Sequence, residues 1–461
     1  MKTLIKILFS LIMVINVAQG EILINDNLLN FSPSDTTMQI LDNSEKRNYP
    51  LAISEILGSN IAIWYLSYST MNSSGDFNIS MEAIKRNFRE GFVWDQDDFL
   101  GNQLMHPYHG AAYYTSARAN GFDFWESIPF AFFGSLTWEY FFEDTQPSYG
   151  DLVNTPLSGI MLGEMTYRIS DHIINTEDSG LNRIFQESLV FILNPMYSFN
   201  RIIKGEAWKI SEDAQENNVK GSISAGSNFF NSVHEDDKLF AYLAFDIAYG
   251  YIYDTKANQK PFDFFNLHTE FYFREDDFIF VILASGVIYD SEIDIFENSK
   301  NLIGVYKEID LLNNWVYKLA TTEVSSNFVN IKGLNDELTI ESSAGVSVIL
   351  MGGTDSPYSK LEDKYYNLGP GAAAKLNLKL TFSELISASI NHKRYWIHVL
   401  SGAEGNEYIG LTRLSTEAKI IEPISLGLEF LFFDRYSNYK KYEDYITTNY
   451  NWRIYLSYNL K

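Results

Sequence analysis

The chain has 461 residues, with 59 acidic against 35 basic side chains and a formal net charge of −24. A field of that sign repels phosphate backbones and argues against a nucleic-acid partner. The lack of any cysteine removes disulfides, thiolate metal centres and a lipid-modified N-terminal cysteine. Aromatic residues still make up 15 % of the chain, with 30 Tyr and 33 Phe, and the two interfacial girdles of a membrane barrel are one place to put them.

Residues 1–20 predict a cleaved export signal. Lys2 and Lys6 lead, Ile5 to Val17 is an apolar run, and Ala18-Gln19-Gly20 offers small residues at a cleavage spacing. The run is too short for a spanning helix, which needs roughly 20 apolar residues. Residues 21–48 are expected to form a flexible N-terminal segment.

From about Tyr49 to residue 210 the apolar residues recur three and four apart, the period of packed helices. The expected helices are Pro50–Tyr68, Ser80–Glu90, Phe99–Asn120, Phe124–Phe142, Asp151–Ile174 and Leu181–Leu193, with Pro195 closing the last. Ser80, Asp123, Ser148 and Asp151 stand where helix starts need caps. Ile128 to Trp138 is nearly all apolar, but Glu126 and Glu139 bracket it, so a buried core helix is expected.

Near Asn217 the period changes to two, and residues 217–461 predict a barrel. Runs of about ten residues recur: 240–253, 262–273, 278–289, 338–350, 373–380, 386–397, 407–419, 425–433 and 449–460. Among the last five, short turns at 381–384 and 421–423 alternate with longer polar loops at 399–406 and 434–448. Earlier the alternation fails, because Arg274–Asp277 and Leu311–Asn314 are both tight. The count points to a strand missed or invented between Trp315 and Leu338. The fold class expected is α+β: an N-terminal helical domain, then an antiparallel transmembrane β-barrel of about twelve strands. A lumen of that width invites a helical domain that plugs it or docks beneath its mouth.

One stretch of the helical half concentrates polar residues: Asn-x-x-x-His106-Pro-x-His109-Gly110, Gly134-Ser-x-x-Trp138-Glu139-Tyr-x-x-Glu143, Pro147-Ser-x-x-Asp151 and Gly159-x-x-x-Gly163-Glu164, followed by Arg168. In combination these motifs resemble a family of uncharacterised Gram-negative envelope proteins, a helical domain of unknown function usually followed by barrel strands. The resemblance covers the second quarter of the chain. It implies an outer-membrane address and an architecture but no reaction.

From the residues themselves, His106, Gly110 and Tyr113 share a helix face, with His109 and Ser116 on a neighbouring strip. Glu139 and Glu143 are four apart, where paired carboxylates beside a histidine could serve acid–base chemistry. Ser116 or Ser135 would be the nucleophile of an acyl transfer. A metal held by His106, Glu139 and Glu143 lacks a supporting His-x-x-x-His or His-Glu-x-x-His spacing, so no metal and no cofactor are expected. Glu164 and Arg168 form an i,i+4 pair, and a structural role for the whole cluster leads.

The leading function is a non-enzymatic outer-membrane protein, a gated channel or an envelope-partner-binding protein, with outer-membrane lipid and a periplasmic protein as partners. A lipid- or envelope-modifying enzyme using the His/Glu cluster, and an inert structural protein, are the alternatives.

Overall fold

The computed structural model describes residues 47–71, 77–94, 98–209, 219–231, 238–253, 260–274, 277–314, 316–335, 337–358 and 366–460. The expected export signal and most of the N-terminal segment lie outside them.

The helices are α1 (Tyr49–Met71), α2 (Met81–Glu90), α3 (His106–Arg118), α4 (Phe124–Phe141), α5 (Tyr149–Ile173), α6 (Gly180–Leu193) and α7 (Pro195–Lys204), with a π turn at Gly101–Met105 leading into α3. Three predicted caps form. Ser80 accepts from Ala83 N, Asp123 and Glu126 make a reciprocal capping box, and Ser148 accepts from Asp151 N. Pro195 does more than end a helix: it occupies the first turn of α7, where its missing N–H costs nothing. The bundle is built around the crossing of α3 on α5. A Cβ on Gly110 would run into the Thr155 carbonyl, and one on Gly159 into the Gly110 backbone. Only glycine at both positions lets the two helices touch.

The strands are β1 (Val219–Asn231), β2 (Lys238–Tyr249), β3 (Phe265–Arg274), β4 (Asp277–Glu292), β5 (Lys300–Asn313), β6 (Lys318–Gly333), β7 (Leu338–Thr354), β8 (Asn367–Phe382), β9 (Ile386–Val399), β10 (Gly405–Ile421), β11 (Ile424–Tyr439) and β12 (Tyr445–Leu460). Each pairs antiparallel with its sequence neighbours, and β1 pairs with β12 to close a twelve-stranded barrel. Closure leaves no strand edge unpaired.

The predicted runs omitted β1, β5 and β6. The strand at issue between Trp315 and Leu338 is real: it is β6. The turn expected at Leu311–Asn314 falls later, because Leu311 to Asn313 are the end of β5; the β3–β4 and β5–β6 connections both lie at the end of the barrel away from its chain ends. The failed alternation is therefore a property of the molecule. The expected 434–448 loop shrinks to residues 440–444, because β11 and β12 extend into it.

Contacts across the lumen fix which face of each strand is inside. Arg453 of β12 reaches Glu270 of β3 at 2.8 Å, and Lys393 of β9 reaches Asp310 of β5 at 2.7 Å. By the two-residue period, Phe280 and Ala284 of β4, Ile309 and Leu311 of β5 and Ala320 of β6 then point outward. All five are buried, and they cluster with Phe99, Met161, Met165 and Ile169 of the helical half. The helices pack against the outer wall of the barrel. The expected plug, or dock beneath the mouth, is corrected on this point: among the described residues the side chains projecting into the lumen are the barrel's own, and the apolar helix faces find their partner on the outside. α5 crosses the wall obliquely. Its first turns lie near Met351 and Leu368, and at its far end Arg168 reaches Asp263 and the Pro261 carbonyl in the β2–β3 connection.

Candidate functional site

Two polar regions stand out, one in the bundle and one in the lumen. In the bundle, three helix ends converge on the side away from the barrel's chain ends. A ring nitrogen of His106 (start of α3) and carboxylate oxygens of Glu139 (end of α4) and Asp151 (start of α5) lie within 4.8 Å of one another. His106 Nδ1 is 3.6 Å from Asp151 Oδ1 and 3.3 Å from Thr155 Oγ1. Glu139 accepts from Ser148 N at 2.8 Å. Glu139 and Asp151 are only 1 % and 2 % exposed.

Glu143, expected beside Glu139 on one helix, falls just past the end of that helix. α4 stops at Phe141, and Glu143 beyond it accepts from the Trp138 indole at 2.6 Å. Asp151 takes the place given to Glu143, brought back by the 142–148 connection. His109 lies one turn deeper, against the Trp138 ring and 2.7 Å from the Tyr113 hydroxyl, which donates to Asn60. Ser116 donates to the Ala112 carbonyl of its own helix. Ser135 Oγ is buried without a hydrogen-bond partner among the described residues. Neither serine is hydrogen-bonded to a histidine there, so no serine–histidine pair for acyl transfer is assembled.

Glu164 and Arg168 belong to a separate tie at the other end of the bundle. Glu164, fully buried, accepts from Arg118 at 2.7 Å, Arg168 at 2.8 Å and the Tyr114 hydroxyl at 2.9 Å. The two guanidiniums offset the cost of burying its charge. The expected i,i+4 pair forms, and it is part of a clamp joining α3, α5 and the β2–β3 connection. Nearby, Glu55 of α1 accepts from Asn120 and Asn200.

The lumen was not singled out from the sequence beyond its expected polarity. At the end carrying the barrel's chain ends it holds a cavity of about 1600 Å³, its open mouth included, lined by Asp246, His268, Glu308, Lys375, Lys393 and Arg413 among others. Past it, Arg453 bonds Glu270 and Glu429 at 2.8 and 2.9 Å, and Arg413 bonds Glu270 at 2.5 Å. Next comes an apolar layer that includes Phe230, Phe240, Ile279, Leu312, Leu431 and Phe433. At the far end Arg435 joins Glu407 at 3.0 Å and Asp355 at 2.8 Å. Inward positions two apart on single strands could have signalled this layering, as in Glu429, Leu431, Phe433 and Arg435 of β11.

Solved structures similar to part of the chain include OmpT, an outer membrane protein of Vibrio cholerae (11 % identity, 54 % of this chain, 99 % of that one, TM-score 0.26), and the NanC porin (7 %, 52 %, 100 %, 0.31). The outer membrane channel DcaP of Acinetobacter baumannii is another (7 %, 53 %, 97 %, 0.24). No curated protein matches the chain. Residues 91–196 match the family model described as Domain of unknown function (DUF3943). The chain thus carries a DUF3943 domain within its helices, followed by a closed twelve-stranded β-barrel.

Proposed function

We propose that this is an outer-membrane protein whose barrel is a gated conduit, shut on one side in the form described, with the helical bundle set in the lipid beside it. The division of the lumen carries the gating: a charged chamber open at one mouth, then an ion-paired layer, then an apolar one.

The address follows from the outer wall. Where no helix covers it, outward positions of β11 and β12 toward the chain ends include Leu426, Leu428 and Phe432, and Tyr450, Trp452, Ile454, Leu456 and Tyr458, all exposed. Water would not tolerate such an apolar wall, and lipid would favour it. Farther from the chain ends the same outer face carries His392 and Arg394 of β9 and, on β11 itself, Asp434, which pairs with Arg394. The apolar belt therefore sits toward the chain-end side, which favours a chamber that opens to the periplasm.

The bundle continues the belt. Among the described residues no helix is long and apolar enough to cross a membrane, yet the helices stand beside the barrel. The exposed side chains of α1 include Ile53, Leu57, Ile61, Tyr65 and Leu66, and those of α4 include Trp125, Phe133, Leu136 and Phe141. No exposed charged residue interrupts α1 over its 23 residues, about 34 Å of helix, which exceeds the roughly 25 Å apolar band of an outer-membrane barrel.

The test is conductance across a planar bilayer. Wild type should be silent or open rarely, and a variant with Phe230, Phe240 and Phe433 all changed to Ala should conduct steadily. If that variant runs as a folded barrel yet stays silent at every voltage, the conduit reading fails.

A further inference from the structure

The geometry points to a divalent-metal site at the meeting of α3, α4 and α5, with His106, Glu139 and Asp151 as its protein ligands. The inference does not depend on the conduit, because the site lies outside the lumen.

The three donors come from three separate helices, so no local repeat placed them together. They are one imidazole and two carboxylates, the donor set that first-row divalent ions such as zinc or manganese accept; the imidazole disfavours magnesium and calcium. Donors around such an ion stand about 3–3.5 Å apart at metal–ligand distances of roughly 2.0–2.2 Å. The observed cluster, all within 4.8 Å and 3.6 Å for His106 with Asp151, needs only small side-chain rotations to close on one.

Burial strengthens the case. Two carboxylates this deep in a helical bundle repel each other and lose their hydration, and a divalent cation offsets both costs. The surrounding groups suit outer-shell partners: Ser148 N fixes one oxygen of Glu139, and Ser148 Oγ accepts from Asp151 N. Three protein ligands would leave at least one position for water or a substrate oxygen, the pattern of a reactive rather than a purely structural metal. The His106 side chain keeps 12 % of its surface exposed, so the cluster reaches the surface of the bundle.

The experiment uses the full chain without an affinity tag, in detergent, stripped with chelator and titrated with zinc and with manganese. Wild type should retain one equivalent of at least one of the two ions through gel filtration. The same preparation loaded with cobalt should show the visible bands of a nitrogen/oxygen-ligated ion. His106→Gln, Glu139→Gln and Asp151→Asn should each weaken binding by 100-fold or more, while Glu143→Gln should bind as wild type does. Helical circular dichroism and the gel mobility of the unheated barrel report whether each variant is folded. Should the variants misfold, wild type alone still decides: a rise in the helical melting temperature with zinc or manganese, absent with magnesium, supports the site. Absence of stoichiometric binding and of any such rise would overturn it, as would undiminished binding in all three folded variants.

Discussion

The two flanks of the barrel wall present the same alternation to different neighbours. On the bare flank, the outward residues of β11 and β12 are large and apolar, such as Leu428, Trp452, Ile454 and Leu456. On the covered flank, small residues stand among them: Ala284 and Gly286 on β4, Ala320 on β6 and Gly353 on β7. Phe262 lies where a Cβ on Gly286 would stand, and Gln103 packs over Gly353. A polar residue is also tolerated there: Lys307 of β5 points outward, is buried, and donates to Thr322 of β6. Lipid conforms to bulky side chains, whereas a helix needs shallow ones to lie close. Side-chain volume, more than polarity, separates a wall meant for lipid from one meant for protein.

The largest test of that contrast is at the helix crossing. Gly159→Ala drives a methyl into the Gly110 backbone and should cost about 3 kcal/mol or more through overpacking. Helical circular dichroism should melt earlier while the barrel keeps its mobility on unheated gels. A single unchanged transition would mean that the bundle does not depend on this contact.

Cutting the clamp comes next. Arg168→Ala leaves Glu164 with Arg118 and Tyr114 and frees the β2–β3 connection, and losing a charge-assisted hydrogen bond to a buried carboxylate costs about 2 kcal/mol. Proteolysis should release the helical half from vesicles more readily than in wild type.

A pair of charges placed on the two flanks should then act differently. Leu428→Arg, facing lipid, should lower barrel stability in vesicles by about 2–4 kcal/mol and leave the helices docked. Ile309→Arg should instead split urea unfolding into a helical and a barrel transition. Identical behaviour of the two variants would erase the distinction between the flanks.

The same contrast explains what could be read from the sequence. β8, β11 and β12 were the plainest, because their lipid-facing positions, such as Leu376, Leu378 and Leu380 or Trp452, Ile454 and Leu456, are apolar at nearly every second residue. β5 and β6 were not legible: their outer faces carry Lys307, Ala320 and Thr322 and their inner faces Leu312 and Leu319, so the period of two fades. Helix starts were legible because Ser80, Asp123 and Ser148 make local bonds. The polar cluster was half legible. His106, Glu139 and Asp151 were each singled out, but spacing along one helix paired Glu139 with Glu143, and only the tertiary return of α5 brings Asp151 in. The placement of the bundle on the outer wall left no local signal, since an apolar helix face does not name its partner.

The lateral docking of the bundle also sets an order of events for biogenesis. The helices precede in the chain the wall they lean on, and contacts such as Asn102 with Tyr366 span most of the polypeptide. Until β3 to β8 are in place, the faces of α3 and α5 that will meet them have nothing to cover them. The helical half must then be shielded by a holdase or wait as a loose bundle, and it can lock down only after the barrel exists. A chain stalled before its last strands would present this apolar surface to the periplasm, and such surface invites aggregation and proteolytic clearance.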